Sequence, residues 1–144
     1  MTVTIDANVL LYTANEDDPL FGAATETLNT ILTSGEPVVV FPPVLVAFLR
    51  VATHPNVFQH PLTLSAAFGV LRRVLQHPSV SFAAADETFV QVLEGIAGSV
   101  SARGNLIHDA EIVALMQEHN VARIVTSDRD FLRFPGINVT LVEP

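Results

Sequence analysis

Short runs of β-branched and other apolar residues alternate along the chain with longer segments in which apolar residues recur at helical spacing. The short runs predict strands, and glycine, proline and asparagine separate many of them from the longer segments. We place five strands at residues 2–6, 38–41, 80–83, 122–126 and 138–142.

The longer segments predict helices at residues 20–33, 44–53, 64–76, 89–101 and 106–119, with one further helical turn through Phe131 and Leu132. The pair Pro42-Pro43 is expected to open the second of these helices. Asp6 or Asn8 could cap a helix directly after the first strand, and Asp86 is expected to cap the helix at 89–101. Strands that alternate with helices predict a parallel sheet covered on both faces. The expected fold is therefore α/β, a three-layer sandwich whose mostly parallel central sheet has four to five strands flanked by helices. We expect residues 1–144 to form a single domain.

Composition narrows the class of protein. Apolar residues make up 49% of the 144 residues, but no apolar run reaches the roughly 18 residues of a membrane span. No signal peptide is visible, and there is no cysteine to form a disulfide or a thiolate metal site. We expect a cytoplasmic protein that does not contact a membrane.

The net charge of −8 argues against broad electrostatic attraction to nucleic acid or to an anionic membrane, and it suits a basic partner. All seven basic residues are arginines. The absence of lysine excludes any chemistry that requires one. It therefore disfavours receiver domains and haloacid dehalogenase-like phosphatases, which place a lysine beside their aspartates.

Four aspartates occupy positions where a parallel sheet could bring them together. Asp6 ends the first strand, Asp109 lies in the first turn of a late helix, and Asp128 and Asp130 follow the fourth strand. Taken singly, each has an ordinary explanation as a helix cap, a first-turn acid or a turn former. Together they predict a cluster of hard oxygen ligands for Mg²⁺ or Mn²⁺, a site suited to phosphodiester hydrolysis. A metal-dependent phosphatase or a DNA nuclease with the same acids is an alternative.

Four motifs in register along the chain resemble the PIN-domain ribonucleases, and in particular the VapC-type toxins of toxin–antitoxin pairs. The motifs are Ile5-Asp6-Ala-Asn8-Val-Leu-Leu, Phe48-Leu49-Arg50-Val-Ala-Thr53-His54-Pro55, Asp109-Ala110 and Thr126-Ser-Asp128-Arg-Asp130-Phe131. The resemblance implies a Mg²⁺-dependent endoribonuclease that cleaves structured RNA such as tRNA or ribosomal RNA. It also implies a homodimer inhibited by a VapB-type antitoxin.

The resemblance assigns roles by position. Asp6, Asp109 and Asp128 match the metal-binding aspartates of the family, and Asp130 matches a further acid of the catalytic pocket. Asn8 and Ser127 (or Thr126) match polar residues that orient the acidic side chains. We group Asn8 and Ser127 with the expected substrate-binding residues. Arg50 and Arg129 complete that group, because a guanidinium can clamp a phosphate with two hydrogen bonds.

One position departs from the family pattern. Many PIN domains carry a glutamate just before the Phe-Leu-Arg run, where this chain has Ala47. Glu111 is a weak substitute, since two residues beyond Asp109 on a helix it points about 200° away. The alternative function is therefore a PIN fold with weakened catalysis that acts by binding RNA or protein.

Overall fold

A computed structural model describes residues 1–144, and its centre is a five-stranded sheet in which every strand pairs in parallel. The strands are β1 (Val3–Ile5), β2 (Val38–Val40), β3 (Val80–Phe82), β4 (Arg123–Thr126) and β5 (Asn138–Leu141). Their order across the sheet is β3-β2-β1-β4-β5. The first strand is therefore the middle one, and it lies beside a strand more than 100 residues later in the chain.

Six α-helices and a 3₁₀ helix surround the sheet. They are α1 (Ala7–Thr13), α2 (Phe21–Thr33), α3 (Pro42–Ala52), α4 (Leu64–Leu75), α5 (Phe89–Ser99), α6 (Leu106–Glu118) and the 3₁₀ helix Arg129–Arg133. All three residues of β1 are buried, although successive strand residues point to opposite faces. Both faces of the sheet are thus covered, which confirms the predicted α/β sandwich. None of the helices is both long enough and apolar enough to cross a membrane.

Helix α3 begins at Pro42, as the pair Pro42-Pro43 predicted, because a proline is well tolerated in the first helical turn, where its missing N–H costs nothing. The predicted cap of α5 by Asp86 is wrong. Thr88, two residues later, is the N-cap residue, and no side chain forms a capping hydrogen bond there.

Phe48 is expected to be a major contributor to stability, because it is fully buried in the core on α3. Truncating it by Phe48→Ala should lower the free energy of unfolding by about 3–5 kcal/mol, the cost of lost burial and of the cavity left behind. Val46, on the same helix, is 62% exposed. Val46→Ala is therefore the matched control, with an expected effect within about 0.5 kcal/mol. Urea unfolding measures both, and similar losses in the two variants would contradict this packing.

Candidate metal centre

The carboxyl ends of the two central strands meet at one edge of the sheet. Ile5 pairs with Val125, and the Asp6 N–H donates to the Val125 carbonyl over 2.9 Å. Asp6 and Thr126 are therefore neighbours although 120 positions separate them in sequence. In parallel α/β sheets this edge is where ligands bind.

Asp6 is held firmly at the start of α1. Its Oδ1 accepts a hydrogen bond from the Ala7 N–H at 2.8 Å, as expected of an N-cap. Its Oδ2 accepts from the Thr126 hydroxyl at 2.7 Å and from the Asn8 side-chain amide at 3.2 Å. The residue is only 8% exposed, so these bonds orient a carboxylate that water hardly reaches.

Thr126 and Asn8 connect Asp6 to the segment that follows β4. The Thr126 hydroxyl, buried with its residue, also accepts from the Asp128 N–H at 3.0 Å. The Asn8 side-chain oxygen accepts from the Ser127 N–H at 3.3 Å. The backbone that carries Asp128 is thus tied to the first strand and to α1. The resemblance offered Thr126 only as an alternative to Ser127, yet in the structure Thr126 makes the central contacts.

Tyr12 is a member of this network that the sequence reading did not identify. Its hydroxyl lies 2.8 Å from the Ser127 hydroxyl. Asn8 and Tyr12 are four residues apart on α1 and so share one helix face, and this spacing was the available signal. Because the Ser127 side chain bonds to Tyr12 and its backbone to Asn8, both polar groups hold the turn before Asp128 in place.

Three carboxylates form the tightest acidic group of the molecule. Asp109, Asp128 and Asp130 each offer an oxygen atom, and these atoms lie within 4.8 Å of one another. The Asp130 N–H donates to Asp128 Oδ1 at 2.9 Å, which sets the turn that brings both acids to α6. The predicted metal set was Asp6, Asp109 and Asp128. The structure groups Asp130 with the latter two, and Asp6 is not a member of this group.

Burial and mutual repulsion make the site unfavourable for negative charge. Burial, and after it the nearby charges of Asp128, Asp6 and Asp130, together raise the pKa of Asp109 to about 7. Burial also raises the pKa of Asp6, against the opposing effect of its hydrogen bonds from Thr126 and Ala7. Carboxylates that are costly to ionise side by side favour either a proton or a bound cation.

The donor set matches a hard divalent metal. All the converging side chains are carboxylates, with no histidine or cysteine among them. Oxygen-only donors suit Mg²⁺ and Mn²⁺ and do not select zinc or copper. Asp109, Asp128 and Asp130 are the residues that could share such an ion, and Asp6 adds negative charge close by.

No glutamate takes the position of the missing family acid. Ala47 is half-buried on α3 and brings no oxygen to the site. Glu111 points away from the acidic group and lies 3.3 Å from the exposed His108 ring. The charge of His108 in turn acts on Asp6, so this imidazole lies close to the mouth of the site.

The arginines predicted to bind substrate have different environments. Arg50 is exposed in the last turn of α3, about 12 Å along the helix from Pro42. It forms none of the ion pairs of the molecule. Arg129 pairs with Glu143 at 2.9 Å, but both side chains are exposed and such a pair is weak. Neither guanidinium touches the acids, and their role in substrate binding stays a prediction.

The largest cavity of the molecule is not part of this site. It measures about 760 Å³ and lies beside α5, the carboxyl-terminal half of α6 and the turn before β5. No acidic residue lines it. Asp109 lies at the opposite end of α6, so cavity size is a poor guide here and the acidic edge defines the candidate site.

Comparison with known proteins agrees with this fold. A sequence profile of the PIN domain matches residues 3–137. Ribonuclease VapC48 of Mycobacterium tuberculosis is 33% identical over 139 residues, 96% of this chain and 96% of the relative. Ribonuclease VapC37 of the same organism is 33% identical over 133 residues, 92% of each chain. The chain therefore belongs to the PIN-domain family, and within it to the VapC group.

Solved structures share the architecture. A chain of the VapBC2 complex of Rickettsia felis, bound to promoter DNA, aligns over 99% of this chain and 100% of its own length, with a TM-score of 0.74 and 14% identity. Mycobacterium tuberculosis VapC20, described as a sarcin–ricin loop cleaving toxin, aligns over 94% of this chain and 98% of its own length, with a TM-score of 0.67 and 16% identity. At such identities the likeness concerns the fold.

In protein stripped of divalent cations, we expect stability to fall as the pH rises from about 4 to about 7. The pKa of Asp109 is about 7 when folded, against 3.8 for an ordinary aspartate. Between those values the folded state keeps a proton that the unfolded state has released. The contribution of Asp109 to the free energy of unfolding is therefore fully present near pH 4, and it is lost as the pH rises through about 7. Thermal unfolding in EDTA across this range measures it.

Asp109→Asn is the control for this pH dependence, because its side chain cannot ionise. At pH 8 the variant should melt a few degrees higher than the wild type in EDTA, and the difference should shrink at pH 5. Mg²⁺ should raise the melting temperature of the wild type more than that of the variant. A constant difference between the two proteins at all pH values would contradict the raised pKa.

Proposed function

We propose that this chain is a metal-dependent endoribonuclease toxin that acts in the cytoplasm as one domain, with Mg²⁺ as the cofactor and Mn²⁺ as a possible substitute. The observation that carries the proposal is the group formed by Asp109, Asp128 and Asp130, with oxygens within 4.8 Å of one another beside the buried Asp6. Membership of the PIN-domain family supports a ribonuclease function, since the relatives VapC48 and VapC37 are named ribonucleases.

The proposed roles follow from the contacts of each residue. Asp109 and Asp128, with Asp130, hold the metal, and Asp6, predicted as a metal ligand, contributes charge to the site as a catalytic acid. A bound divalent ion would lower the pKa of a water molecule and offset the negative charge that develops on the phosphate. Thr126, Asn8 and Ser127 position the backbone of Asp128 through the hydrogen bonds described above.

The substrate class that fits best is structured RNA. With a net charge of −8, the protein has little general attraction for nucleic acid, so binding must depend on local contacts. Arg50 and Arg129 are the exposed guanidinium groups proposed to contact phosphates. The fold neighbour VapC20 is described as cleaving the sarcin–ricin loop, a folded RNA element, which supports tRNA or ribosomal RNA as the target here.

The proposed partner is a VapB-type antitoxin, and the chain is proposed to act as a homodimer. Two fold neighbours were solved as VapBC bound to DNA. The acidic group offers an unbalanced negative charge that an arginine or lysine of a partner could neutralise, as a metal would. Inhibition by occupying this site would explain how a toxin is kept inactive.

A second candidate function is a PIN fold that binds RNA or protein without efficient cleavage. The observation that favours it is Ala47, which leaves the site without the glutamate found in many relatives of this fold. With fewer carboxylates, the site should bind Mg²⁺ less tightly. The two candidates differ in whether the purified protein cleaves RNA.

Purified protein should cleave RNA from a panel of tRNAs and ribosomal fragments in the presence of Mg²⁺ or Mn²⁺, and EDTA should stop the reaction. Asp109→Asn and Asp128→Asn should each reduce the cleavage rate by about 100-fold or more, the scale of losing one electrostatic group from an active site. Asp17→Asn, which changes an exposed loop acid, is the matched control and should leave the rate unchanged.

The outcomes separate the candidates. RNA binding without cleavage by either metal would favour the binding module over the enzyme. Equal cleavage by wild type and Asp109→Asn would reveal a contaminating nuclease and would leave the proposed activity without support.

Expression of the wild-type chain in bacteria is expected to arrest growth, because a ribonuclease acting on tRNA or ribosomal RNA stops translation. Co-expression of its VapB-type antitoxin should restore growth. Asp109→Asn should not arrest growth, yet a purification tag on this variant should still capture the antitoxin. Growth arrest by the variant as strong as that of the wild type would separate toxicity from the acidic site.

A further inference from the structure

A small cleft opens at the same edge of the sheet as the acidic group, but one strand pair further along. It measures about 220 Å³. Its walls come from the start of α3, the loop after β3, the first turn of α5 and one side of α6. The lining includes Pro42, Pro43, Ala84, Ala85, Phe89 and Glu111.

The cleft and the acids lie at neighbouring positions along the same edge of the sheet. Pro42 follows β2 and Ala84 follows β3, whereas Asp6 follows β1 and Asp128 follows β4. In the order β3-β2-β1-β4, the two sites lie on adjoining strand pairs, with midpoints about 10 Å apart at normal strand spacing.

Helix α6 connects the two sites. On a helix of 3.6 residues per turn, His108 lies between the two acids, about 100° around the helix axis from Asp109 and about 60° from Glu111. The Nδ1 atom of His108 lies 3.3 Å from Glu111 Oε1. A molecule whose phosphate occupies the acidic group could therefore extend past His108 into the cleft.

The far wall of the cleft is preformed by side chains from the end of α6. The Ala84 carbonyl lies 2.7 Å from His119 Nε2. The Glu118 carboxylate accepts from the Asp86 N–H at 3.2 Å and from the Thr88 hydroxyl at 2.9 Å. These bonds fix the loop between β3 and α5. Because Ala84 and Ala85 have small side chains, the fixed loop leaves the space open.

The chemistry of the cleft fits a flat ring with hydrogen-bond donors on its edge. Pro42, Pro43 and Phe89 supply apolar surfaces, and an aromatic ring is a common stacking partner for an unpaired base. Glu111 is the charged residue of the lining, and when ionised its carboxylate only accepts hydrogen bonds. Its side chain is 34% exposed, and only one of its oxygens pairs with His108.

We infer that this cleft binds the nucleobase next to the scissile phosphate of RNA, with guanine preferred, because guanine presents two adjacent N–H donors that match the two oxygens of Glu111. The inference rests on the proposed ribonuclease function and deepens it by naming a base at one position. The volume of the cleft, about 220 Å³, suits a single base, because it is below the roughly 300 Å³ at which sites for drug-sized ligands begin. A phosphate does not fit, because the lining has a carboxylate and no arginine.

Guanosine alone, which carries no phosphate, tests the cleft independently of catalysis. Added to ¹⁵N-labelled protein, it should shift the amide resonances of Ala84, Ala85 and Phe89 more than adenosine or inosine does. Inosine lacks the exocyclic amine and so loses one of the two hydrogen bonds. Glu111→Gln keeps the size of the side chain but replaces one acceptor with a donor, and it should weaken guanosine binding by roughly tenfold. Glu94→Gln, exposed on α5, is the matched control.

Cleavage-site sequencing on a randomised RNA provides the second test. Cuts by the wild type should be enriched beside guanine, and Glu111→Gln should reduce this enrichment by roughly tenfold while cleavage itself continues. Guanosine shifts in a protein that does not cleave RNA would uphold the cleft and overturn the ribonuclease function. Cleavage without guanine enrichment, together with equal shifts by guanosine and adenosine, would overturn the cleft and leave the ribonuclease function standing.

Discussion

The hydrogen bond from the Thr126 hydroxyl to the Asp6 carboxylate joins the ends of the two central strands, and the rest of the site depends on it. The same hydroxyl accepts from the Asp128 N–H, so one buried oxygen sets both the first acid and the backbone of the third. Asn8 and Tyr12 hold the intervening Ser127 from the side of α1. A site built on strand ends in this way keeps its geometry because the sheet itself is rigid.

The acids that converge there are costly for the folded chain. Burial of Asp109, together with the negative charges of Asp128, Asp6 and Asp130 near it, raises its pKa to about 7. This cost is the physical reason that the edge should attract cations. Under the proposed function, the same negative charge would bind a metal during hydrolysis or a basic side chain of an inhibitory partner, so the metal and the inhibitor would compete for one site.

Much of the fold followed from local pattern. Five runs of β-branched residues predicted all five strands within about two residues of their bounds. Each run is followed by a turn or by a segment with apolar residues at helical spacing. The four aspartates were identified because each lies at a strand end or a helix start. Helix caps were less predictable. Asp86 was expected to cap α5, but Thr88 is the N-cap residue. The loop before α5 is held by Glu118, a residue 32 positions after Asp86 that no local pattern could assign.

The sequence by itself determined the class of fold, the acidic positions at the strand ends and the absence of lysine chemistry, because these depend on short-range periodicity and residue type. Only the tertiary structure decided that β1 lies between β2 and β4, which brings Asp6 and Thr126 together. It also decided that Asp130, and not Asp6, shares the tight group with Asp109 and Asp128, since the turn after β4 aims both of its acids at α6. Strand order and side-chain direction follow from packing across the whole chain, and no local window of sequence contains that information.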